Sequence, residues 1–157
     1  MNRRVTFCLA AVLITAWSAS VCSAGDFQPP KEYGNLAKVS KELKRNPKLA
    51  KATFERGYTL LHWAAAKGDA DVAKLLISKG ADVNAQDEWE GYAPIHAAVI
   101  ENKVELIKLL LSKRANVDAE SRGGLTPLMI AATKGYTEAA ELLVSHGADV
   151  NLWGTTG

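Results

Sequence analysis

Cysteine is almost missing from this chain of 157 residues, and the two present, Cys8 and Cys22, both precede Ala24. A domain starting after Ala24 has no thiol for nucleophilic chemistry and no disulfide, so packing alone must hold it together. Net charge is nearly missing too. The 19 basic and 17 acidic residues leave +2, and Arg3 and Arg4 account for that surplus because no acid precedes Ala24. A neutral remainder gives no support for a nucleic-acid partner, nor for membrane-surface binding by overall charge. Apolar runs long enough to span a bilayer, about 20 residues, are also lacking. The longest, Val5 to Trp17, follows Asn2, Arg3 and Arg4 and precedes the small residues Ser18 to Ala24. That is the layout of a cleaved secretory leader. Cleavage fits best after Ala24, which leaves no stable membrane insertion and a periplasmic or secreted domain. Ala19-Ser20-Val21 lacks the leucine and the small residue expected before a lipidated Cys22.

Catalytic signatures are absent as well. There is no P-loop, no dinucleotide fingerprint, no G-x-S-x-G elbow and no H-E-x-x-H. The acidic run Asp87-Glu88-Trp89-Glu90 lacks the glycine-centred ligand order of a calcium loop. A chain without enzymatic activity, cofactor or metal is expected.

Repetition is what the chain does have. The segments GYTLLHWAAAKGDADVAKLLISKGADVN, GYAPIHAAVIENKVELIKLLLSKRANVD and GLTPLMIAATKGYTEAAELLVSHGADVN begin at Gly57, Gly91 and Gly124, at offsets of 34 and 33 residues. In register, Val72, Ala73, Leu75 and Leu76 recur as Leu106, Ile107, Leu109 and Leu110 and as Ala139, Ala140, Leu142 and Leu143. This helical spacing marks a core-facing stripe. Pro94 and Pro127 suit the first turn of a shorter preceding helix, where a missing N–H costs nothing. Thr59 and Thr126 can cap such helices through their hydroxyls, whereas Ala93 cannot. Gly68, Asn102 and Gly135 suit a left-handed turn between the two helices, and Gly80 and Gly147 suit the end of the second. Arg114 replaces that last glycine, at a cost of about 1 kcal/mol if held left-handed.

A period near 33 with a T-P-L-H-x-A-A core resembles the ankyrin repeat family. The resemblance implies an all-α, ankyrin-repeat solenoid of helix-turn-helix units with finger turns. Each pair buries its stripe against its neighbours, so roughly three are needed for stability. The expected organisation is a leader over 1–24, a linker over 25–32, a lysine-rich helical cap over 33–53 and repeats over 54–86, 87–120 and 121–153. Residues 154–157 follow as a tail or as the start of a truncated repeat. Leu36, Val39, Leu43 and Leu49 give the cap its apolar stripe, on a helix expected from Tyr33 to Arg45. No capping helix is expected after the last repeat, which would invite self-association through an open layer. Trp63 and Trp153 read as packing residues.

The resemblance also implies that partners meet the concave face formed by the inner helices and fingers. Its positions here are Arg56, Tyr58 and Lys67 in the first repeat and Trp89, Glu90, Tyr92, Ile100 and Glu101 in the second. In the third they are Arg122, Leu125 and Lys134. Tyr58, Trp89 and Tyr92 lead this set because tyrosine, tryptophan and arginine dominate binding hot spots. Asn84 to Gly91 is one residue longer than Asp118 to Gly124, so the second finger should push Trp89 outward. His62 and His96 occupy the family's turn-bracing position, too far apart for shared zinc ligation, and His146 has no evident partner. The expected function is a non-catalytic protein-interaction scaffold in an exported compartment, modulating or protecting against a partner protein. A rival is a membrane-proximal module docking acidic surfaces through its basic cap, whose lysines include Lys38, Lys41 and Lys44.

Overall fold

The computed structural model describes residues 36–152, so the expected leader, linker and tail, the expected start of the cap helix at Tyr33, and Trp153 lie outside the described part. Among the described residues there are seven α-helices and no strand. The cap helix α1 spans Leu36–Arg45 and is followed by a 3-10 turn over Pro47–Lys51. Three helix pairs come next. They are α2 (Leu60–Lys67) with α3 (Ala70–Ser78), α4 (Pro94–Ile100) with α5 (Val104–Ser112), and α6 (Pro127–Lys134) with α7 (Thr137–Ser145). Short inner helices α2, α4 and α6 pack in a row, outer helices α3, α5 and α7 form a second row, and α1 rests against α3.

Local chemistry explains where each helix begins and ends. Thr59 and Thr126 accept the N–H groups of His62 and Met129 at 3.4 and 3.3 Å, capping α2 and α6. The α4 start has no hydroxyl cap, and instead its Ala93 N–H donates to His96 Nδ1 at 3.0 Å. Pro94 and Pro127 stand at the first helical positions. Gly68, Asn102 and Gly135 turn left-handed with φ of 80, 51 and 70°. Arg114 is indeed held at φ 64° where the other repeats have glycine.

The core is a slab of leucine and alanine between layers. Ala64, Ala65, Ala98 and Val99 are fully buried, as are Leu76, Leu106, Ile107 and Leu110. Burial of this kind is worth about 25 cal/mol per Å² of apolar surface. Trp63 packs in the first layer with only 3% exposure. Among the described residues the third layer is covered on one side only. Leu61 and Ile95 are buried, but their counterpart Leu128 is half-buried, Ala132 is exposed and Val144 is 46% exposed.

Candidate functional site

Each inner helix is preceded by a hairpin-like finger turn. Its closing hydrogen bond runs from Phe54 N–H to Tyr58 O (2.7 Å), from Asp87 N–H to Tyr92 O (2.9 Å) and from Ser121 N–H to Leu125 O (3.0 Å). The longer second finger needs an extra tie, and Asp87 supplies it. One carboxylate oxygen accepts the Trp89 and Glu90 N–H groups, both at 2.8 Å, and the other accepts Tyr92 N–H at 3.0 Å. Ser121 makes a smaller version of this bond, its hydroxyl accepting Leu125 N–H at 3.0 Å. The Asp87 carboxylate therefore organises backbone.

Adjacent fingers are bonded to each other. Glu88 N–H donates to Arg56 O, and Arg122 N–H donates to Glu90 O, both at 2.7 Å. This contact explains two glycines. At Gly57 (φ 74°) a Cβ would stand 2.8 Å from the Glu88 side chain, and at Gly91 (φ 70°) 3.0 Å from Arg122 N. Gln86 adds a further tie, donating through its amide to Gly91 O and Glu120 O at 3.0 and 2.8 Å.

Two buried histidines fix the fingers to the helices below. His62 Nδ1 accepts Thr59 N–H at 3.2 Å, and its Nε2–H donates to Tyr92 O in the next finger at 2.9 Å. His96 repeats the device with Ala93 N–H at 3.0 Å and Leu125 O at 3.2 Å. Accepting at Nδ1 leaves the proton on Nε2, so both rings work as neutral donors and acceptors. Burial pushes His62 down to about 4 and lowers His96 in the same direction. Both ring nitrogens of each histidine are thus engaged in bracing. His146, expected to be unpartnered, has its Nδ1 2.9 Å from Leu142 O, a helix-end bond that spacing alone did not show.

Three helix pairs stacked in register, joined by fingers and braced by histidines, agree with a family match over residues 32–87 and 61–152 to ankyrin repeats in three copies. The chain belongs to the ankyrin repeat family. It is similar to protein phosphatase 1 regulatory subunit 27 of Homo sapiens, 41% identical over 117 residues, which are 74% of this chain and 53% of that protein. It is also similar to serine/threonine-protein kinase VIK of Arabidopsis thaliana, 45% identical over 56 residues, 36% of this chain and 13% of the kinase. The chain therefore spans about half of one relative and a small part of the other.

Within this ankyrin array the candidate residues divide into braced and projecting groups. Tyr58 and Tyr92 are half-buried and stack on His62 and His96, with ring centroids 4.6 and 5.2 Å apart. Trp89 projects, 52% exposed, with the Arg56 guanidinium 3.9 Å from its ring centroid. Glu90, Ile100 and Glu101 are half-buried, whereas Lys67, Arg122, Leu125 and Lys134 are exposed. Sequence reading missed the anchoring role of Asp87 and the pairing of Arg56 with Trp89. The longer second finger signalled the first. Nothing in the one-dimensional pattern signalled the second, because it depends on a left-handed Arg56 at φ 63°.

Proposed function

We propose that this chain is a non-catalytic scaffold that binds a partner protein through its concave finger face, in a periplasmic or secreted compartment, and modulates or protects against that partner. The observation that carries the reading is Trp89, a large exposed aromatic held in place by Arg56 and by the Asp87 turn. An aromatic anchor fixed before binding loses little entropy on association. The family consists largely of interaction modules, and one relative is named a regulatory subunit. Export rests on the leader-like layout of Asn2 to Ala24.

The test is capture from the exported fraction of the source cell, using the tagged chain expressed with its own leader and processed by the cell. A second bait carries Trp89→Ala and Leu125→Ser, which leave both tyrosine-histidine stacks in place, and matched circular dichroism checks folding. A partner retained by the first bait and lost by the second is expected. Equal retention by both contradicts the reading.

One observation favours a second reading. Lys38, Lys41, Lys44, Arg45, Lys48 and Lys51 are all exposed on the cap, and Arg45 alone is ion-paired there among the described residues, at 3.7 Å from Glu42. Such a surface would dock acidic surfaces, with binding to anionic vesicles that weakens as salt rises. Reversing Lys38, Lys41 and Lys44 should abolish that binding and leave Trp89 irrelevant to it.

A further inference from the structure

Among the described residues, the indole N–H of Trp63 is the one buried side-chain polar group without a hydrogen-bond partner. The residue is only 3% exposed, and folded chains seldom leave a buried donor unpaired because its lost hydration is costly. Helical geometry says which way it points. At 3.6 residues per turn, Leu61 and Ala65 share one side of α2 and Trp63 lies about 180° from them. Leu61 and Ala65 face the second repeat, since their counterparts in the last layer, Leu128 and Ala132, are half-buried and exposed. Ile130, the counterpart of Trp63, stays buried there. Trp63 therefore faces the cap.

In the later layers an inner helix covers that side, α2 against α4 and α4 against α6. Ahead of α2 the described residues supply no inner helix, only α1 against α3 and the Pro47–Lys51 turn against α1 and α2. Repeat register names the residues that belong in that place. Val39 and Leu43 are buried as Val72 and Leu76 are, 33 positions later, so the counterpart of Leu60–Lys67 is Phe27 to Gly34, FQPPKEYG. This stretch does not suit a helix. Pro29 and Pro30 have no N–H to donate, and Gln28 and Pro29 each precede a proline, which pushes them into the extended region. A polyproline-type chain makes no internal hydrogen bonds, so its carbonyls are left to accept from elsewhere.

We infer that the segment Phe27 to Gly34 docks along α2 as an extended strap that closes the first layer, with a main-chain carbonyl between Pro29 and Glu32 accepting the Trp63 indole N–H. The dimensions fit. Four extended residues at about 3.1 Å each cover the length of an eight-residue helix, about 12 Å. An extended chain also lies closer to its neighbour, at about 4.8 Å against about 8–10 Å between packed helices. The indole fills that difference, which accounts for tryptophan here where the other layers carry Ala97 and Ile130. The inference is independent of the finger-face reading and makes most of the expected linker a part of the fold.

A mutant cycle tests this. Trp63→Phe keeps a ring and removes the N–H, while Pro29→Gly with Pro30→Gly loosens the strap without shortening the chain. Urea midpoints of the unaltered chain, of each variant and of their combination give the coupling, and the effect of glycine on the unfolded chain cancels in the cycle. The combined loss of stability should be clearly smaller than the sum of the two. By NMR, the Trp63 indole N–H, identified by its loss in Trp63→Phe, should exchange with deuterium about tenfold faster in the glycine variant. Additive losses, or equal exchange in the two chains, overturn the inference and assign the N–H to water or to another group. Should Trp63→Phe not fold, a nitroxide on Gln28→Cys, in a chain carrying Cys8→Ser and Cys22→Ser, decides the matter. Broadened amide signals along α2, with those of α6 unchanged, are expected. Sharp α2 signals would overturn the strap.

Discussion

The guanidinium of Arg56 lies 3.9 Å from the ring centroid of Trp89, a contact that joins the first finger to the second. It works alongside the Glu88 N–H to Arg56 O bond of 2.7 Å, so backbone and side chain tie the same two turns. A double-mutant cycle of Arg56→Ala and Trp89→Ala should give a coupling of about 0.5–1 kcal/mol in urea unfolding. Alanine keeps a Cβ at the left-handed position, so the cycle isolates the ring contact from backbone strain. No measurable coupling would mean that Trp89 is not held by Arg56 in solution.

Arg114 sits at φ 64°, where Gly80 and Gly147 sit at 87 and 90°. Its carbonyl accepts Asn84 Nδ2–H at 3.3 Å, a bond that any residue at this position can make. Arg114→Gly should therefore stabilise the chain by about 1 kcal/mol, read as a higher urea midpoint at unchanged slope.

The buried histidines make stability depend on pH. With His62 lowered from 6.5 to about 4 in the folded chain, the unfolded chain binds the extra proton between those values. Stability is then full above 6.5 and falls as pH drops toward 4, by about 1.4 kcal/mol per pH unit for one ring that stays neutral. His96, lowered in the same direction, adds to the slope. His62→Gln, whose amide offers both a donor and an acceptor, should flatten it. Urea midpoints at about pH 7.5 and 5.5 that coincide for the unaltered chain would contradict this account.

Asp87 accepts three backbone N–H groups, whereas Ser121 accepts one at the same place in the next finger. Asp87→Ala should cost about 2 kcal/mol and Ser121→Ala about 1 or less. The first should also raise amide exchange at Trp89 and Glu90, which would show that the carboxylate shapes the finger. Equal costs and unchanged exchange would reduce Asp87 to a bystander.

Much of this architecture was readable from the chain because its causes are local. Pro94, Pro127, Thr59, Thr126 and the left-handed Gly68, Asn102 and Gly135 all act within a few residues of themselves. The stripe of Leu75, Leu76 and their counterparts is fixed by helical period alone. The eleven candidate positions are what the resemblance to ankyrin arrays implies, carried over by repeat register, which places side chains on a face but does not say how each is held. Tyr58 and Tyr92 lead the set by residue type, yet each rests on a histidine of its own inner helix. That packing depends on the angle between finger and helix, which no spacing encodes. Arg56 and Trp89 meet only because one turn is left-handed and the next is longer by a residue. The Asp87 run read as a poor calcium loop, and its positive role appeared only when its backbone donors could be located.

Hydrogen exchange of the chain alone and with its captured partner tests the central claim most directly. The account predicts added protection in the fingers over 54–58, 87–92 and 121–125 and at the ends of the inner helices, with no change in α1. Protection confined to Leu36–Arg45 and Pro47–Lys51, with the fingers exchanging as before, would contradict it and place recognition on the basic cap.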